Sequence, residues 1–138
     1  MESLREGIER NVRAHLWDVK RQKFIPHIYP EKSPIPEGFD ELAIHYHGGT
    51  AIAIEAGLLS KDEIRTVNAQ MLENVRLSGM PSIGLTLYPV YPDGFFHGGM
   101  SKAYLYQNGG DWTWFGGRMI QQLVVNGMVE EAYAEIHP

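Results

Sequence analysis

The chain reads as an all-α domain of helical hairpins, joined by long Gly/Pro/aromatic loops and containing little strand. Three observations predict this. Leu4, Ile8, Val12 and Leu16 recur every four residues, the spacing of one helix face. A Gly57 stop and a Ser60–Glu63 capping box split two further helical runs. Asn126-Gly127, a helix-stop signal, separates the last two. With 138 residues, 43% hydrophobic and 21% charged, a single domain over 1–138 with a proper core is expected.

The first helix is placed at about 2–17 by its apolar stripe, with Arg5, Glu6, Glu9, Arg10 and Arg13 on the remaining surface. Between 18 and 40, Pro26, Pro30, Pro34, Pro36 and Gly38 forbid a helix interior and indicate structured loop, with Phe24-Ile25 and His27-Ile28-Tyr29 as short extended pieces. Leu42 to Leu59 carries one charge, Glu55, and is apolar around most of its circumference. It reads as a helix buried on most sides, with Glu55 paired to an arginine such as Arg118. His45, His47, Gly48, Gly49 and Glu55 disqualify it as a membrane span. The next helix shows Ile64, Val67, Asn68, Met71, Leu72 and Val75 on one face and ends at Gly79 and Pro81, which makes an αα-hairpin with a short link. Residues 80–110 form a long connection too aromatic for disorder. Trp112 to about Val125, capped by Asp111, and Met128 to Ile136 complete five helices.

The net charge of −5 argues against a nucleic-acid or anionic-membrane partner. There is no cysteine, hence no disulfide, thiolate metal site or cysteine nucleophile. Met1-Glu2-Ser3-Leu4-Arg5-Glu6 is charged and helical in pattern rather than a signal peptide, so the expected location is cytoplasmic. His45-x-His47 would share one face of a strand but lie about 200° apart on a helix, so no metal or other cofactor is expected; His97 could join only through folding. The run Gly94 to Gly99 lacks the lysine and spacing of a phosphate loop.

The most informative stretch is Tyr106-Gln107-Asn108-Gly109-Gly110-Asp111-Trp112-Thr113-Trp114. Aromatic faces pack on sugar C–H patches, and amides and carboxylates take hydroxyls. Paired glycines let a ligand approach the backbone. A tight turn with two core tryptophans is the alternative. The segment resembles the Tyr-His-Asn-Gly-x-x-Trp-Pro-Trp signature of the six-hairpin (α/α)6 glycoside hydrolases, which include amylo-α-1,6-glucosidases and neutral invertases. Gln107 and Thr113 depart from that signature. Tyr88-Pro89-Val90-Tyr91-Pro92 and the run from His45 to Leu59 are similar to other parts of such domains. Twelve helices of about 12 residues with loops of about 5 would need roughly 200 residues or more, so the resemblance implies only a segment of a toroid.

The resemblance implies a carbohydrate ligand and a glycosidase-type reaction. Hydrolysis needs two carboxyl groups about 5–5.5 Å or about 6.5–9.5 Å apart across the bond. Glu41 is the candidate acid and Asp111 the candidate base. Asp40, His47, Tyr88, Tyr91, Gln107, Asn108, Trp112 and Trp114 are the candidate substrate-binding residues. Asp40 and Asp111 are equally suited to capping helices. A non-catalytic helical module is the competing function. Because an incomplete toroid exposes the apolar face of helix 42–59, a homo-oligomer is expected.

Overall fold

The computed structural model describes residues 3–96 and 102–136. His97, Gly98, Gly99 and His137 lie outside them. The described chain runs α1 (Leu4–His15), β1 (Trp17–Asp18), β2 (Lys23–Phe24), a 3-10 turn (Glu41–Ala43), β3 (His45–Tyr46), α2 (His47–Glu55), α3 (Lys61–Ser78), β4 (Leu87–Tyr88), α4 (Thr113–Val125) and α5 (Val129–Ile136). The strands form two antiparallel pairs, β1–β2 with Trp17 opposite Phe24, and β3–β4 with His45 opposite Tyr88 and Tyr46 opposite Leu87. This corrects the all-α expectation. The architecture is mixed α/β with small sheets and is not a toroid of helical hairpins.

The helices start and stop where local chemistry dictates. Ser3 with Glu6 and Ser60 with Glu63 form reciprocal capping boxes on α1 and α3. α2 and α4 both end in Schellman motifs: Leu58 N–H bonds Ala53 C=O at 3.0 Å, and Met128 N–H bonds Leu123 C=O at 2.8 Å. The intervening Gly57 and Gly127 have φ of 79°, a left-handed conformation that costs glycine little.

The predicted helix over 42–59 is the main local error. Only His47–Glu55 is α-helical. Upstream, the backbone of His45 and Tyr46 pairs with β4, and Ile44 C=O accepts a hydrogen bond from the buried Lys23 ammonium. A long-range ladder and a long-range cation thus claim groups that a helix would have used internally. β4 comes from the long 80–110 connection, so no periodicity within 42–59 could announce it.

α2 is covered by its own chain. It packs on α4, with Gly48 so close to the Phe115 ring that a Cβ there would sit 2.5 Å from ring carbons. Ala51 and Ile54 are buried in a core with Trp17, Ile64, Val67, Met71, Ile83, Met119, Leu123 and Met128. The inward face of α2 is therefore covered within one chain. A second, smaller core gathers Ile44, Leu87 and Tyr91, with Ile35, Phe39, Tyr46, Val90 and Phe95 packed against it. Among the described residues, no helix is long and apolar enough to cross a membrane.

Candidate functional site

The second core carries the most elaborate polar cluster in the described chain. Glu41, on the 3-10 turn, is buried. One of its oxygens, Oε1, accepts hydrogen bonds from Tyr91 Oη at 2.7 Å and from His27 Nδ1 and Tyr29 Oη at 2.8 Å each. The Tyr91 hydroxyl lies 3.0 Å from that of Tyr46. A hydroxyl has one proton, and the Tyr91 proton goes to the stronger acceptor, the carboxylate. Tyr46 therefore donates to Tyr91. His27 likewise donates from Nδ1.

Electrostatics follow from this geometry. Burial alone would raise the pKa of Glu41, but the hydrogen bonds from Tyr91, His27 and Tyr29 outweigh it and hold the pKa below the ordinary value. Tyr29 is pushed up to about 12 by burial and by the neighbouring carboxylate. Tyr91 is raised by the same two causes in the same order. Glu41 is thus a fixed anion among phenols. A general acid at neutral pH needs the opposite shift.

Tyr91 is held from a second direction. Its backbone N–H donates to Asn108 Oδ1 at 2.8 Å, and its C=O accepts from Asn108 Nδ2 at 3.1 Å. Asn108, itself buried, pairs with Tyr91 as a neighbouring strand would. The loop bearing it is fixed by Gly109 N–H bonded to Thr86 Oγ1 at 3.0 Å, and by Thr86 N–H bonded to Gly110 C=O at 3.0 Å. Gly109 has φ of 86°, and a Cβ there would lie 2.3 Å from the Val90 side chain. Beside this loop opens a cleft of about 320 Å³ lined by Tyr46, Leu87, Phe96, Tyr106, Gln107 and Asn108. Phe96 and Tyr106 keep 40% and 46% of their surface exposed, which leaves ring faces for a ligand.

The structure therefore joins Glu41, Tyr91 and Asn108 of the predicted set in one network and places Gln107 in the cleft beside Asn108. The others enter neither the Glu41 network nor the cleft lining, although the Trp112 ring packs edge-on against Tyr106 of the cleft. Both carboxylate oxygens of Asp111 accept from Ser82 Oγ, at 3.0 and 2.7 Å. Asp111 ties the 82–85 loop to the start of α4, where Trp112 is the capping residue and no side chain caps the helix. Capping by Asp111 is thus replaced by a loop-to-loop bond. Asp40 is exposed and makes no capping bond to the 3-10 turn it precedes. His47 is buried at the first turn of α2, its Nε2 accepting from Asn74 Nδ2 at 3.1 Å. Burial, then the neighbouring His45, lowers its pKa to about 3 and keeps it neutral. Tyr88 lies on β4 opposite His45. Trp112 Nε1 donates to Tyr106 C=O at 3.1 Å. Trp114 is half exposed, with the Arg118 guanidinium 5.0 Å above its ring. Arg118 also pairs with Glu55 at 2.6 Å, as expected.

Sequence reasoning missed His27, Tyr29 and Tyr46. A signal existed: His27 and Tyr29 are two apart in an extended segment, and side chains so spaced share one face. Nothing local connected that face to Glu41. Among the described residues, no group of three or more His, Asp or Glu is arranged to hold a metal. No family model, curated protein or solved structure matches the chain.

Proposed function

We propose that the chain binds a neutral carbohydrate in the cleft beside Tyr106, Gln107 and Asn108. The observation that carries this is the cleft's lining: the partly exposed aromatic residues Phe96 and Tyr106 share it with Gln107. Rings supply stacking surfaces for sugar C–H faces, and the amide offers both a donor and an acceptor to hydroxyls. The resemblance of the Tyr106–Trp114 segment to the glycosidase signature supports the same ligand class. Asn108 forms wall rather than hand, since Tyr91 occupies its amide.

Binding is favoured over hydrolysis for this chain. Neither Glu41 nor Asp111 lines the cleft, and the two enter separate hydrogen-bond networks. A glycosidase needs two carboxyl groups facing one bond.

The test is an NMR titration of the whole chain with maltose and other neutral glucosides. Saturable shifts at Tyr106 and Gln107, weakened in Tyr106→Ala and Gln107→Ala, are expected. Absence of shifts with every sugar sinks the proposal. Turnover of an aryl α-glycoside, lost in Glu41→Gln, would replace binding with hydrolysis.

A second reading, self-association, is favoured by a different observation. Val125, Val129, Tyr133 and Ile136 are each more than half exposed along the α4–α5 end of the chain. Light scattering at micromolar concentration is expected to show a dimer or larger; a monomer removes this reading.

A further inference from the structure

Among the described residues, a large groove lies on the far side of β3 from the sugar cleft and has a different chemistry. Its volume is about 870 Å³, and Arg21, Lys23, His45, Arg65, Glu73 and Asn74 contribute its polar lining. Tyr46 faces the cleft and its neighbour His45 faces this groove, as alternation along a strand requires.

Lys23 is the unusual member. It is only 3% exposed, and its ammonium donates to Ile44 C=O. That partner is a neutral carbonyl and not a bonded counter-ion, and a lysine has three donors to place. Asp40 and Asp18 attract the charge through space, but among the described contacts neither is hydrogen-bonded to it. Asp18, opposite Lys23 on the β1–β2 ladder, is bound to Arg21 at 2.8 Å. Asp40 is exposed. Glu73, the acid of the groove, is held by Arg76 through two bonds of 2.8 and 2.6 Å. Among the described residues, Arg65 makes two loose pairs, at 3.4 Å to Asp62 and 3.6 Å to Glu131. His45 is kept neutral, its pKa lowered to about 4 by burial and by Lys23.

We infer that this groove binds an oxyanion, the carboxylate or phosphate group of a small ligand, between Lys23 and Arg65. An anion there supplies a counter-charge in direct contact with Lys23, and the Arg65 guanidinium offers a second charged donor from α3. The site is separate from the carbohydrate cleft and does not rest on that proposal.

The experiment is an NMR titration of the whole chain with inorganic phosphate and, separately, with acetate, at constant ionic strength set by chloride. Saturable shifts at Lys23, His45 and Arg65 are expected with at least one anion at millimolar concentration, and which anion binds tells phosphate from carboxylate. Lys23→Met weakens binding by about tenfold or more, as loss of a charged hydrogen bond does. No saturable shift with either anion overturns the inference, as does unchanged affinity in a folded Lys23→Met. Should Lys23→Met fail to fold, the half-exposed Arg65→Gln decides: weaker binding supports the site and unchanged affinity overturns it.

Discussion

The two cores of this chain are held by different forces. The helical core joins α2, α3, α4 and α5 through apolar side chains such as Ala51, Ile54, Val67, Met119 and Leu123. Among its helices, α3 starts in a capping box and α2 and α4 end in Schellman motifs. The loop-built core around Ile44, Leu87 and Tyr91 has little regular structure of its own. It depends on directional bonds: three donors on one oxygen of Glu41, and a side-chain amide standing in for a strand at Tyr91. Apolar packing is graded and tolerant of small adjustments, whereas a buried polar network fails when one member is lost. The cleft is built on the second kind of core, so the ligand binding proposed for it would inherit that sensitivity.

The largest effect should come from the helical side. Leu123→Ala removes a fully buried side chain, and deletions of this kind cost about 2–5 kcal/mol. Urea unfolding should show one transition, with far-ultraviolet helix signal and near-ultraviolet tyrosine signal falling together. Separate transitions would mean that the two cores do not depend on each other.

Glu41→Gln should break the other side selectively. Hydrogen bonds to a charged group contribute about 1.5–3 kcal/mol, and the substitution removes the charge that Tyr91, His27 and Tyr29 address. The tyrosine signal should now fall at lower urea than the helix signal, because the loop core opens first. The pH response follows from the lowered pKa of Glu41. The folded state binds fewer protons than the unfolded state in the acid range. The stabilisation is therefore complete above the ordinary glutamate value of about 4.3 and is lost as pH falls through the folded value. Glu41→Gln should flatten that acid limb relative to the wild type. An unchanged limb would show that Glu41 is not held as an anion.

Legibility divides along the same line. Both α3 ends, the Asn126-Gly127 stop and the Glu55–Arg118 pair were readable because each is a local pattern or a simple charge match. Helix 42–59 was misread because its apolar composition is compatible with a helix, while β4, about forty residues later, decides otherwise. The site was half readable. Gln107, Asn108 and Glu41 stood out by residue type, yet Asp111 was assigned to chemistry although Ser82 takes both its oxygens. Contacts across such sequence distances leave no period in the chain, so the toroid inferred from one motif could not be checked against them.

Lys23 offers a second pH test with the opposite cause. Burial, then Arg21, lowers its pKa from 10.5 to about 8. The unfolded chain therefore binds more protons between these values, and folding stability gains with rising pH across that interval. Lys23→Met should abolish this gain and should be more stable than the wild type below pH 8, where the buried charge costs most. Unchanged alkaline behaviour would show that the ammonium is solvated or already neutralised.

The smallest effect should come from Glu55→Gln. Its bond to Arg118 is short, 2.6 Å, shorter than the 2.7–2.8 Å bonds to Glu41. Distance alone would rank it as the stronger interaction. The side chains of Arg118 and Glu55 keep 33% and 42% of their surface in solvent, and water and salt screen such a pair to about 0–1 kcal/mol. Arg118 also stacks over Trp114 at 5.0 Å, a contact that does not involve Glu55 and should persist when Glu55 changes. Parallel urea titrations of Glu55→Gln and Glu41→Gln, repeated in high salt, should show a small salt-sensitive loss for the first and a larger loss that salt hardly alters for the second. Equal losses would mean that burial does not distinguish the two carboxylates, and the contrast between a packed helical core and a bonded loop core would lose its energetic basis.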